Sequence, residues 1–166
     1  GVLYPRLIGG DTAINQLALL GFLYSLRLLN QLNLKGEDYS QCGVLQLAFN
    51  AREQQRLRKI IDFYPSLIQE VNENQASDLS GIKLDLSGAF IPQAGWVNPA
   101  ALCLAFADHP NVQIKHHTEA ISLKYIHQQW QVWDDDQCVA EAPVVIIAGA
   151  NDTQHFVQTQ HCEVNA

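Results

Sequence analysis

The sequence predicts a mixed α+β / α/β fold, and three observations predict it. Several apolar segments open on helix-capping residues. The last third alternates apolar and polar residues with period two. Finally, four consecutive β-branched residues, Val144-Val145-Ile146-Ile147, run into Ala148-Gly149-Ala150, as expected of a strand buried on both faces in a parallel sheet.

The elements follow in order. Asp11 or Thr12 caps a helix reaching about Asn33. It is apolar nearly all the way round (Leu17, Leu20, Phe22, Leu23, Tyr24, Leu28, Leu29), so burial on several sides is expected. Lys35-Gly36 ends it. Cys42 to Phe49 reads as a strand, and Asn50 caps a second helix with Glu53 in the capping-box position. Leu57, Ile60, Ile61 and Tyr64 form its core stripe, and Pro65 stops it. Ser66 and Gln69 can open a further turn. Ala76 to Gly81 reads as a short acidic helix turn, and Leu84 to Pro92 as extended chain. Asn98-Pro99 is a helix start, with a capping side chain before proline at the first helical position, and that helix ends at His109-Pro110. Strands are expected at Val112–Ile114, Ile121–Tyr125, from Trp130, and near Cys138 to Ala140, with Asp134-Asp135-Asp136 as a turn.

With 166 residues, 48 % apolar and 16 % charged, the composition is globular. The chain lacks methionine and ends on a polar stretch, Gln158 to Ala166, which reads as a piece of a longer polypeptide. The longest near-apolar run, Leu17 to Leu29, is shorter than the roughly 20 residues of a membrane span. No signal peptide frames it, so a cytoplasmic location is expected. The net charge of −7 argues against nucleic-acid binding by the segment as a whole. Arg52, Arg56, Arg58 and Lys59 make a local basic patch, best read as a solvated helix face. Cys42, Cys103, Cys138 and Cys162 form no C-x-x-C pair and are expected to be buried free thiols. On a strand His116 and His117 would point to opposite faces, so no metal site is expected.

The turn Ala148-Gly149-Ala150 ends a presumed parallel strand, and ligands of open α/β sheets bind at that edge. Gly149 admits close approach of a cofactor; a tight turn after a core strand explains it equally well. The sequence holds no G-x-G-x-x-G, Walker loop, G-x-S-x-G or H-E-x-x-H. The pyrophosphate anchor of any dinucleotide is therefore expected upstream of Gly1. Trp96 can line a pocket or pack on the helix it precedes. Tyr4 and Arg6 can face a ligand or a domain boundary.

The order of segments resembles the D-amino-acid-oxidase-like family of flavoproteins. Four stretches carry a closer resemblance to the oxidoreductase half of its bifunctional, transfer-RNA-modifying members: GVLYPRL at 1–7, CGVLQLAF at 42–49, FIPQAGWVNPAAL at 90–102 and VVIIAGAN at 144–151. The resemblance spans essentially the whole chain and implies an internal fragment. About 1–10 corresponds to a flavin-side loop and about 11–110 mostly to the substrate domain. About 111–150 is a β-hairpin return to a parallel strand of the FAD-binding domain. The Rossmann start, the C-terminal part and the upstream methyltransferase half, which uses S-adenosyl-L-methionine, are missing.

The resemblance implies FAD as cofactor, poorly bound by the fragment alone, and the wobble uridine of transfer RNA as substrate. The carboxymethyl group of 5-carboxymethylaminomethyl-(2-thio)uridine would be removed oxidatively. Hydride would pass from the carbon next to nitrogen to the flavin, and hydrolysis of the imine would release glyoxylate. Cofactor contacts carry over to Gly1, Val2, Leu3, Ala120, Ala148 and Gly149, and substrate-side positions to Tyr4, Arg6, Gln93 and Trp96. No residue carries over as general base. How an acidic segment helps to hold transfer RNA is left to the missing regions or to a local patch. Two alternatives stay open: a small-molecule oxidase of the glycine or sarcosine type, and a non-catalytic interaction domain suggested by the apolar first helix.

Overall fold

A computed structural model describes residues 1–32 and 34–163. Chain contacts divide it into two units, Gly1–Val112 and the residues from Gln113 onward.

The first unit opens with β1 (Val2–Leu3) and α1 (Ala13–Gln31). The side chain of Thr12 caps α1 by accepting from the Asn15 N–H. Asn33, the expected end of this helix, lies outside the described residues. Next come β2 (Tyr39–Ser40), β3 (Val44–Leu47) and α2 (Ala51–Phe63). Asn50 caps α2 by accepting from the Glu53 N–H at 2.8 Å. The chain continues through β4 (Gln69–Val71) and α3 (Glu73–Ser80), which carries a reciprocal capping box between Asn72 and Gln75. Then β5 (Gly88–Ile91), β6 (Gly95–Val97) and α4 (Pro99–Ala107) follow, with Asn98 as cap and Pro99 at the first helical position.

Two three-stranded antiparallel sheets result, ordered β1-β6-β2 and β3-β5-β4. The stretch 88–97 supplies the central strand of both. Pro92 stiffens the turn between them, which the Ala94 N–H closes on the Ile91 carbonyl at 3.1 Å. Gly95 is required there, because a Cβ would lie 1.9 Å from the Ser40 carbonyl oxygen on β2.

The core is built from Leu7, Phe22, Leu26, Leu57, Ile60, Leu67, Ile68, Ala89, Ile91 and Ala94. Ile61 and Tyr64 pack against it half-buried, so the expected stripe of α2 faces inward. One polar residue among those described is buried as well. Asn15 is fully buried; its Oδ1 accepts from the Ile8 N–H at 3.0 Å, and its Nδ2 donates to the carbonyls of Ile8 and Gly10 at 2.6 and 2.7 Å. Each group of the amide finds a partner, so its burial carries no unsatisfied-donor penalty. The arrangement ties the chain after β1 to the first turn of α1.

The second unit is an antiparallel meander of β7 (Ser122–Ile126), β8 (Gln129–Asp134) and β9 (Gln137–Ala142). His127 and Gln128 both have positive φ, as a two-residue hairpin turn of the right twist demands. Tyr125 and Trp130 face each other across β7–β8 with ring centroids 5.0 Å apart. Asp135 and Asp136 form the second turn. Short 3₁₀ turns at Ala150–His155 and Val157–Thr159 follow.

Several expectations change. Residues 144–149 form no strand, and every strand pairing among the described residues is antiparallel. The sheets are thus not mixed, and the hairpin does not return to a parallel strand. A parallel strand exists only where a neighbour takes its ladder bonds. Here Val144 and Ile146 stand exposed with no such neighbour. Val112–Ile114 is irregular for the same reason. His117 adopts positive φ outside any strand, so the argument from opposite strand faces does not apply to the two histidines. The four cysteines are free but exposed, Cys103 included, because α4 has no buried residue. Finally, α1 buries one face, with Phe22, Leu26 and Leu29 inside and Ile14, Leu17, Leu20 and Tyr24 outside.

Candidate functional site

The expected site residues fall into three groups. The first is the ladder between the chain start and the FIPQAGWVNP stretch. Val2 pairs with Trp96 and Leu3 with Gly95, and the Val97 N–H donates to the Gly1 carbonyl at 2.9 Å. Two segments more than ninety positions apart therefore lie side by side. Trp96 sits on the central strand, with Val2 on one flank and Ser40 on the other, and its side chain is partly exposed. Gln93 lies in the exposed turn before it, and its carbonyl accepts from Gln41 Nε2 at 3.2 Å. Beside this ladder Tyr39 is half-buried, and its hydroxyl has no hydrogen-bond partner among the described residues. Burial pushes that phenol above its ordinary pKa.

The second group is a cavity of about 330 Å³ in the same unit, bordered by Tyr4, Arg6, Gln46, Glu53 and Arg56. Its floor is apolar, from Leu7, Ile60 and Ile68. Arg56 is held on two sides: Nε donates to Glu53 Oε2 at 2.8 Å and a terminal nitrogen donates to Gln46 Oε1 at 3.1 Å. Tyr4 and Arg6 thus face a common cavity with residues of α2 and β3. Nothing in the sequence marks Gln46, Glu53 and Arg56 together as its walls. Only the i,i+3 spacing of Glu53 and Arg56 offered a signal.

The third group lies wholly in the second unit. Ala120, Ala148 and Gly149 border one cavity of about 400 Å³. Its walls are mainly apolar, from Leu123, Val132, Val145, Ile147 and Phe156, while Glu119, Asp152 and His155 add polar groups. Asp152 and His155 are exposed and 3.9 Å apart, so their attraction is weak. Gly149 turns into the 3₁₀ segment, with its carbonyl accepting from the Asp152 N–H at 3.0 Å. Positions 120 and 148–149, expected from the resemblance to meet the cofactor, thus border one cavity even though 144–149 is not a strand. Among the described residues no cluster of histidine, cysteine and carboxylate has the geometry of a metal site, and no helix is long and apolar enough to cross a membrane.

The sequence profile of the DAO family, described as FAD dependent oxidoreductase, matches residues 1–164. The chain belongs to the DAO family of FAD-dependent oxidoreductases. Similar curated proteins carry the name tRNA 5-methylaminomethyl-2-thiouridine biosynthesis bifunctional protein MnmC. That of Pseudomonas savastanoi pv. phaseolicola is 44 % identical over 160 residues, covering 96 % of this chain and 24 % of the relative. That of Methylobacillus flagellatus is 42 % identical over 163 residues, covering 97 % of this chain and 25 % of the relative. The chain thus spans about a quarter of the length of the curated relatives it matches.

Proposed function

We propose that this chain is part of an FAD-dependent oxidoreductase that acts on the wobble uridine of transfer RNA. It removes the carboxymethyl group of 5-carboxymethylaminomethyl-(2-thio)uridine and leaves the aminomethyl base. The observation that carries the reading is the 44 % identity, over nearly the whole chain, to proteins named for biosynthesis of a modified transfer-RNA uridine. In the same reading, about 1–10 is the flavin-side loop, about 11–110 the bulk of the substrate domain, and about 111–150 the return to the cofactor domain. The full-length protein carries the methyltransferase half upstream.

The residues near Ala120 suit one part of FAD. A cavity of about 400 Å³ lies in the range used by small ligands. Its lining is mainly apolar, and the small residues Ala148 and Gly149 let the ribose and pyrophosphate approach the backbone, with Ala120 toward the adenine. No G-x-G-x-x-G occurs in the sequence, so the glycine-rich helix start that is the main diphosphate grip is not among these residues. When bound, FAD supplies a two-electron acceptor for the hydride on the carbon next to the amine nitrogen. Gly1, Val2 and Leu3 line the flavin side, their backbone fixed by β6. Tyr4, Arg6, Gln93 and Trp96 stand on the substrate side. Tyr4, Gln93 and Trp96 orient the amine and desolvate it.

The test uses the full-length protein. It should purify with bound flavin. Anaerobic mixing with transfer RNA bearing the carboxymethylaminomethyl group should bleach the flavin and release glyoxylate, while free glycine should not. Bleaching by glycine alone would move the assignment to a small-molecule oxidase, and a colourless protein would remove the cofactor assignment altogether.

A further inference from the structure

Half of the chain's ten lysines and arginines lie at position 6 and within 52–59. The structure sorts them. At 100° per residue, Arg52, Arg56 and Lys59 fall within an arc of about 60° on α2. The core residues Leu57 and Ile60 lie to one side of this arc. Arg58 points elsewhere, into a shallow depression shared with Glu70. The chain from Tyr4 to Gly9 runs along the basic side of α2. Arg6 borders the same cavity as Arg56, and Gly9 lies so close to Lys59 that an added Cβ would be 2.7 Å from the lysine Cβ. Four cations on two chain segments thus line one exposed strip. Its length along α2 is about 10 Å, from seven residues at 1.5 Å each.

Of the two carboxylates flanking the strip on α2, Glu53 is already paired with Arg56, and Asp62 makes no ion pair with Lys59 among the described residues. That pairing leaves the strip positive and fixes the Arg56 guanidinium with further donors free for a second acceptor. Arg52 and Lys59 are exposed and have no carboxylate partner within salt-bridge distance among the described residues. Elsewhere the chain is acidic, so a polyanion meets attraction on this strip and repulsion over much of the rest.

We propose that the strip formed by Arg6, Arg52, Arg56 and Lys59 binds the phosphate backbone of the RNA substrate. The inference rests on the transfer-RNA reading above and adds a place where this chain grips the RNA. Linear spacing of the cations favours a row of phosphodiesters over a single anion. The contacts are to backbone, so they contribute affinity and salt dependence without base preference.

The experiment measures binding of transfer RNA to full-length protein by fluorescence anisotropy across a salt series. Three proteins are compared: wild type, the double variant Arg52→Gln/Lys59→Gln, and Arg58→Gln from the other side of the same helix. Both residues of the double variant are exposed, and retained flavin absorbance checks its fold. Loss of two phosphate contacts should weaken binding about tenfold near 0.1 M salt and flatten the log–log salt slope by about 1.4 to 1.8. Arg58→Gln should behave as wild type, and Arg6→Gln should reproduce roughly half the slope change. Unchanged affinity and slope in the double variant, with wild type still binding and its flavin still bleached by the RNA, would overturn the strip alone. A wild type that binds no transfer RNA would overturn both the strip and the reading beneath it. Equal competition by polyglutamate of the same charge would overturn the assignment to RNA, since the strip would then take any acidic polymer.

Discussion

Ile91 and Ile146 have the same side chain and opposite surroundings. Ile91 is 2 % exposed on the central strand β5, with α2 packed over the sheet; Ile146 is 86 % exposed in an unpaired stretch. The contrast extends to their units. Every member of the core cluster belongs to the first unit, whereas Leu123 is the one buried hydrophobic residue described in the second. Both regions contain apolar residues in plenty. The difference teaches that apolar sequence becomes core only where a second layer is available to cover it. In the first unit α2 covers the β3-β5-β4 sheet, while the β7-β8-β9 meander holds together by ladders and cross-strand pairs such as Tyr125–Trp130.

Four measurements test this contrast. Ile91→Ala should cost about 4 kcal/mol in urea denaturation, because it opens a cavity in a closed core. A loss below about 1 kcal/mol would mean that the first unit is no better packed than the second. Asn15→Leu should cost about 3 kcal/mol, since it strands the Ile8 N–H and two carbonyls that the amide now satisfies. A near-neutral result would show that water replaces the amide and that the anchor of the β1–α1 connection is superficial.

Tyr39→Phe should leave stability at neutral pH unchanged or slightly raised, because the hydroxyl it removes has no partner among the described residues. Its effect grows with alkali. The folded state raises the phenol pKa above the ordinary value of about 10, so it keeps the proton more tightly than the unfolded chain does. The wild type should therefore lose stability as pH rises past about 10, and the phenylalanine variant should lose less. Parallel pH profiles for the two would mean that the phenol is solvated. Smallest of all, Ile146→Asn in this 166-residue chain should change stability by under about 0.5 kcal/mol. A cost approaching that of Ile91→Ala would erase the distinction between the two isoleucines.

Much of the first unit was legible from local rules. Thr12, Asn50 and Asn98 each cap the helix that the sequence assigns to them, and Pro99 sits at the first helical position. The stripe Leu57–Ile60–Ile61–Tyr64 faces the core as its spacing requires. These signals are read within a few residues, and the forces behind them act over the same range. The positive-φ turn at His127-Gln128 was not legible, because neither residue is a usual choice there and the strand twist imposes the conformation. The threefold role of Asn15 was equally hidden, since its partners are backbone groups that carry no sequence mark.

The candidate sites divide along the same line. Their residue types, the Ala148-Gly149 turn, the Trp96 stretch and the basic patch on α2, could be picked out one by one from the sequence. Which of them stand together was decided by folding: Trp96 beside Val2, Ala120 and Gly149 on one cavity, Arg6 and Arg56 on another. Whether Val144–Ile147 forms a strand was decided there too. Caps and periodicity depend on neighbours along the chain, whereas pairing and burial depend on neighbours across space, and only the folded arrangement supplies those.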